Sequence, residues 1–118
     1  MIGDLTRQDH LARSIVKEAE LILETTNYYP LEGKLDPVLE QRRKATAIRV
    51  ALGLKPGRIF VRLGEKGPQV KWECLFEDAA DYEADMAARA ASEDFAAARE
   101  QMHTMLDRFE RHLHQSID

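Results

Sequence analysis

The side chains in this sequence that could do chemistry are few, and aromatic hydroxyls lead them. Tyr28, Tyr29 and Tyr82 could each donate a hydrogen bond to a bound carbonyl or phenol. The competing reading is amphipathic packing at a sheet edge with the hydroxyls in water. Arg62 and Glu73 stand on the two arms of one expected hairpin and face each other if its loop is symmetric. Buried, the pair could orient a carboxylate ligand through the two parallel donors of a guanidinium; otherwise it is a structural cross-strand ion pair. Glu110, His112 and His114 share a face only if the tail is a strand, where they would make a metal or acid–base set. Helical geometry would point them apart, and solvated histidines near a C-terminus need no ligand. His10 and His103 are isolated.

Cys74, the single cysteine, lies between Trp72 and Phe76. It reads as a small apolar core residue, since a reactive thiol needs an electropositive, accessible niche. One cysteine also excludes an internal disulfide framework and a thiolate cage for zinc. No phosphate-cradling glycine loop, HExxH or G-x-S-x-G occurs, and Gly64 and Gly67 read as turn residues. Neither a metal nor a cofactor is therefore expected.

The elements that must position these residues centre on a hairpin over residues 57–77. Ile59, Val61 and Leu63 alternate with Arg58, Phe60 and Arg62; after Gly64-Glu65-Lys66-Gly67-Pro68, Val70, Trp72, Cys74 and Phe76 alternate with Lys71, Glu73 and Leu75. Two period-two runs around a glycine- and proline-bearing loop predict antiparallel strands. Upstream, Leu11, Ile15, Ala19 and Ile22 recur at helical spacing, but the strand-forming run near Thr25 to Tyr29 favours a strand over residues 17–27. Tyr28 to Lys34 reads as a loop punctuated by Pro30 and Gly33. Asp36 as N-cap and Pro37 at the first helical position then open a helix with an apolar stripe of Leu35, Val38, Leu39, Ala45, Ile48 and Leu52. Gly53 suits its left-handed C-cap. After the hairpin, Asp78 caps a helix through Tyr82, Met86 and Ala90, and Ser92 predicts a second start carrying Phe95, Ala98, Met102 and Leu106. Residues 109–117 fit either helix or strand.

The order β-α-β-β-α, with or without a final strand, is α+β and ferredoxin-like, a split βαβ arrangement with an antiparallel sheet. At 118 residues, 44% hydrophobic and 32% charged, the chain reads as one globular domain over 1–118 with an N-terminal arm over 1–13. A net charge of -4 offers no long-range attraction to nucleic acid or to an anionic membrane. The opening residues lack a signal-peptide pattern and no apolar run reaches membrane-spanning length, so a cytoplasmic protein is expected.

With Gly33-Lys34-Leu35-Asp36 before the first helix, Leu52-Gly53-Leu54 after it and Ser92-Glu93-Asp94-Phe95 restarting the second, the chain resembles the dimeric α+β barrel superfamily. Within it the chain resembles the NIPSNAP-like and antibiotic-biosynthesis-monooxygenase-like families, over about residues 17–117. The resemblance implies a homodimer whose sheets meet face to face with the helices outside. The open face is expected to carry Phe60, Ile22 and Leu75 among Glu20, Glu24, Arg62, Lys71 and Glu73, a mixture that suits an interface with internal ion pairs.

It implies, too, a ligand between sheet and helices, beside a tryptophan on the third strand. Trp72 matches that residue in kind and place, and would otherwise be the largest core side chain. The family's first-strand asparagine is represented only by Asn27 at the strand end, and Tyr82 stands where its histidine would be sought. Two functions follow. One is a small cofactor-independent oxygenase, isomerase or cyclase acting on an aromatic or polyketide-like molecule, with Trp72, Tyr82 and Arg62 in the catalytic site and Tyr28, Tyr29 and Glu73 binding the ligand. The other is a non-catalytic homodimer that binds a small ligand or a protein. A pocket beside Trp72 with convergent polar groups separates them from a filled core.

Overall fold

The structure, a computed structural model, describes residues 20–118. The expected arm over 1–13 and the first residues of the expected strand lie outside the described residues. The elements are β1 (Ile22–Pro30), α1 (Leu35–Ala51), β2 (Arg58–Val61), β3 (Val70–Phe76), α2 (Ala79–Ala90), α3 (Glu93–His103) and β4 (Leu106–Gln115). They form a four-stranded sheet in the order β2-β3-β1-β4, antiparallel throughout, which is the ferredoxin-like arrangement expected. The undecided tail is a strand. It pairs with β1 from Ile22↔Gln115 to Pro30↔Leu106, which places β1 at the sheet's centre beside β3.

β1 continues through Tyr28, Tyr29 and Pro30, which were expected to be loop. Ladder pairing with β4, joined by β3 as far as Tyr28, overrides the proline signal, and the register shifts at Tyr29/Pro30, where a residue without an N–H does least harm. The chain then turns with Lys34 N donating to the Leu31 carbonyl at 2.9 Å around Gly33, whose φ is 77°. Helix α1 starts at Leu35 with Lys34 as its flanking residue and no side-chain cap, so Asp36 is in the first turn instead of at the N-cap. Pro37 is still tolerated because N–H groups of a first turn lack intrahelical acceptors. The other end matches expectation. Leu54 N donates to the Arg49 carbonyl at 2.9 Å and Gly53 N to Val50 at 3.0 Å, the paired bonds of a left-handed glycine cap.

Both expected caps of the C-terminal helices form. Asp78 accepts from Asp81 N at 2.8 Å and Ser92 from Phe95 N at 3.0 Å. Alternation in β3 sends Val70, Trp72, Cys74 and Phe76 toward the helices, where they make a core with Tyr28, Val38, Met102 and Met105. Helix α1 buries Val38, Gln41, Arg42, Ala45 and Arg49 against that layer. The buried stripe is rotated from the apolar one expected, and Leu52 is exposed.

Register also corrects the open face. Glu24 lies opposite Cys74 and Ile22 opposite Phe76, so both point to the helix side. Leu23, Thr25, Asn27 and Tyr29 are the β1 residues on the open face, in register with Leu75, Glu73, Lys71 and with Arg108 respectively across the sheet. Phe60 sits there opposite Lys71, and Arg58, not Arg62, is opposite Glu73. The hairpin pairs Val61 with Val70, a register four residues away from the one that would have joined Arg62 to Glu73.

Candidate functional site

Between the helices and the sheet lies a cavity of about 340 Å³. Trp72, Tyr28, Phe95, Met102 and Phe109 give it apolar walls, while Glu24, Arg42, Arg89 and Arg111 bring charge to it. Strand alternation delivers Glu24, Tyr28 and Trp72; the helical period of α1 delivers Arg42, one turn before Ala45. The Trp72 ring is 1% exposed, and its Nε1 donates to the Pro56 carbonyl at 3.0 Å. That approach leaves no room at Gly57, where an added Cβ would stand 2.4 Å from Nε1.

Two arginines of α1 sit over the Trp72 ring, Arg42 at 4.6 Å and Arg49 at 4.9 Å from its centroid. Arg49 belongs to a closed ion network. Its Nη1 and Nη2 reach the Asp85 carboxylate at 3.1 and 2.6 Å, and its Nε donates to the Lys55 carbonyl at 2.6 Å. Arg89 bridges onward, with Nε to Asp85 at 2.8 Å and Nη1 and Nη2 to the two oxygens of Glu24 at 3.0 and 2.6 Å. Arg111 Nε completes the shell of Glu24 at 2.8 Å. Burial alone would pull the Arg89 guanidinium down, but its bonds to Glu24 and the nearby Asp85 charge raise its pKa above the ordinary value. The Arg111 guanidinium also donates to the Tyr82 hydroxyl, which sits at the edge of Phe76 with ring centroids 5.3 Å apart.

Arg42 differs from these. It is 4% exposed, and its Nη1 donates to the Tyr28 hydroxyl at 3.0 Å and its Nη2 to Thr46 Oγ1 at 3.5 Å. Both acceptors are neutral. Among the described residues no carboxylate pairs with it, and its Nε is buried without an acceptor.

The sequence-derived residues divide between the two faces of the sheet. Trp72 and Tyr28 meet in the cavity, and Tyr82 touches its rim through Arg111. Tyr29 is on the open face, donating to Glu110 Oε1 at 3.0 Å under the Arg108 guanidinium. Arg62 and Glu73 line a separate groove with Phe60 and Lys71, and Arg62 Nη1 donates to the Gly67 carbonyl at 3.1 Å. Glu110, His112 and His114 do align along a strand, with the imidazoles 6.4 Å apart. Glu110 is engaged by Tyr29 and Asn27, and no group of three His, Cys, Asp or Glu able to hold a metal occurs among the described residues. Burial pushes the Cys74 thiol up, with the Asp85 and Glu24 charges adding and Arg49 opposing, which fits a core role.

Sequence reading missed Glu24, Arg42, Arg49, Asp85, Arg89 and Arg111. A signal existed for two of them: Arg42 and Arg49 are seven apart, and both fall on the stripe through Val38 and Ala45.

No family model and no curated protein matches the chain. Solved structures do. A NIPSNAP family protein from Agrobacterium tumefaciens superposes with a TM-score of 0.66 at 20% identity, over 84% of this chain and 88% of that one. A dimeric protein of unknown function and ferredoxin-like fold from Bacteroides fragilis gives 0.62 at 8%, over 81% and 96%. A candidate antibiotic biosynthesis monooxygenase from Bacteroides thetaiotaomicron gives 0.59 at 14%, over 84% and 90%. At these identities the likeness is one of fold, the ferredoxin-like α+β arrangement described above. No helix among the described residues is long and apolar enough to cross a membrane.

Proposed function

We propose that this protein is a homodimeric small-molecule-binding protein whose ligand lies in the cavity between sheet and helices, against Trp72. The observation that carries this is the cavity itself. About 340 Å³ of space stays open beside Trp72, where Met86, Phe95 and Met102 line the walls without filling it, and polar groups from β1, α1, α2 and β4 converge there. The second copy is assigned to the open sheet face. Phe60 and Leu75 are 41% and 51% exposed there, among Lys71, Glu73 and Arg58, a mixture of apolar and charged groups that suits an interface. The dimeric protein of similar fold from Bacteroides fragilis supports this reading.

Turnover of the ligand by a cofactor-independent oxygenase, isomerase or cyclase is the second reading. It is favoured by Tyr28, whose hydroxyl accepts a charge-assisted bond from Arg42 and so keeps its own proton for a ligand carbonyl in the same cavity. The candidate monooxygenase of like fold bears on it as well.

Mass spectrometry of the freshly purified protein, native and then denatured, tests both assignments. Twice the chain mass, with a small mass released on denaturation, is expected; a clean monomer overturns the dimer. Trp72 is the chain's only tryptophan, so its fluorescence locates any compound that binds. A bound compound that leaves the Trp72 emission unchanged, or binds Trp72→Phe with unchanged affinity, overturns the cavity assignment. Oxygen uptake or product formation with a bound aromatic compound would establish turnover.

A further inference from the structure

We infer that the cavity is selective for a carboxylate, with the Arg42 guanidinium as its counter-charge and the rest of a small aromatic acid lying against the apolar wall of Phe95 and Met102. The inference rests on the cavity being the ligand site and adds the chemical class of what enters it.

Its basis is an imbalance of charge. Along the helix side of the sheet, the carboxylates of Glu24 and Asp85 are shared among Arg49, Arg89 and Arg111, every one of which donates to at least one of them. Arg42 stands outside this network with no acidic partner among the described residues, at 4% exposure. A buried cation is expensive unless an anion or a set of acceptors compensates it. Of its five N–H donors, only those to Tyr28 and Thr46 have acceptors, and the second bond is long at 3.5 Å. The Trp72 π face at 4.6 Å offsets part of the cost, but a ring quadrupole does not replace a counter-ion.

The geometry is built and not incidental. The Arg42 guanidinium carbon lies 4.6 Å from the Trp72 ring centroid, and the Tyr28 hydroxyl accepts from its Nη1 at 3.0 Å. Gln41, the neighbour on α1 that could have competed for an acceptor, is turned away and spends its amide on the Ala98 carbonyl at 2.9 Å. A planar fork beside an indole, with its buried Nε lacking an acceptor, matches a carboxylate, which accepts two parallel N–H bonds.

The test compares acids with their neutral amides of nearly equal shape: benzoate, phenylacetate and 2-naphthoate against benzamide, phenylacetamide and 2-naphthamide. Affinities are measured by isothermal titration on the full chain at low ionic strength. At least one acid is expected to bind tenfold or more tightly than its amide, about the margin of one charge-assisted pair. Arg42→Gln should abolish that margin, so that acid and amide bind it within about twofold of each other, since it removes a charge and keeps hydrogen-bonding capacity. Arg42→Lys retains the charge and covers the case in which the glutamine variant fails to fold; it should keep part of the margin because only the bidentate geometry is lost. Acids and amides binding equally well would overturn carboxylate selection and leave the cavity assignment standing. No binding of any acid or amide would overturn both. A margin that persists undiminished in Arg42→Gln would place the anion on Arg89 or Arg111 and overturn the role of Arg42.

Discussion

Arg49 of α1 and Asp85 of α2 meet at 2.6 Å with side-chain exposures of 0% and 5%, so the two helices are joined by an ion pair out of reach of water. Neither partner is a single-purpose group. Arg49 also holds the Lys55 carbonyl beyond its own helix end, and Asp85 also receives Arg89. Breaking such a pair strands a buried charge. Asp85→Ala is therefore expected to cost about 3–5 kcal/mol in urea unfolding, and adding Arg49→Met should recover part of that loss. Equal stability of Asp85→Ala and wild type would show that the pair is solvated.

At Gly57 the constraint is space. The residue has φ 69°, and a methyl group there would meet Trp72 Nε1 at 2.4 Å and the Glu73 carbonyl oxygen at 2.7 Å. Gly57→Ala should destabilise by roughly 2–4 kcal/mol, combining a left-handed backbone with overpacking. It should also shift the Trp72 emission, because the indole must move. Gly64→Ala, with a positive φ but open space, should cost less.

The carboxyl of Glu110 is held below its ordinary pKa, first by the hydrogen bond from Tyr29 and then by that from Asn27. A depressed folded-state pKa stabilises above the unfolded value, and that stabilisation is lost as pH falls through the folded pKa. Tyr29→Phe should raise the Glu110 midpoint, read from its carboxyl carbon shift in an NMR titration. An unmoved midpoint would assign the depression to Asn27 and the nearby Arg108.

Cys74 should resist an aromatic disulfide reagent in the native protein and react on unfolding, since it is 3% exposed and its thiol is raised by burial. Rapid native labelling would mean that β3 opens.

On the open face, Leu75→Lys introduces a charge opposite Leu23 without touching the helix-side core. Light scattering is expected to show half the wild-type mass at unchanged helical content. A wild-type mass for the variant would move the interface elsewhere.

Local chemistry was sufficient for the elements of this chain. The caps at Asp78 and Ser92, the left-handed turn at Gly53 and the alternation through Trp72 are each decided within a few residues, so they can be read in order along the sequence. Where the deciding partner is distant, reading stops. Tyr28 to Pro30 became strand because β4 pairs with all three and β3 with Tyr28, and hairpin register put Arg58 opposite Glu73. The site is the strongest case. Glu24 finds Arg89 and Arg111 at sequence separations of 65 and 87, and nothing near Glu24 in the chain signals that its charge will be buried. Hydropathy assigns arginine to solvent, and two arginines of α1 face the core because Asp85 and the Trp72 ring await one of them and an open cavity the other. Only folding, by bringing those partners together and excluding water from them, makes a buried charge affordable and so creates a site.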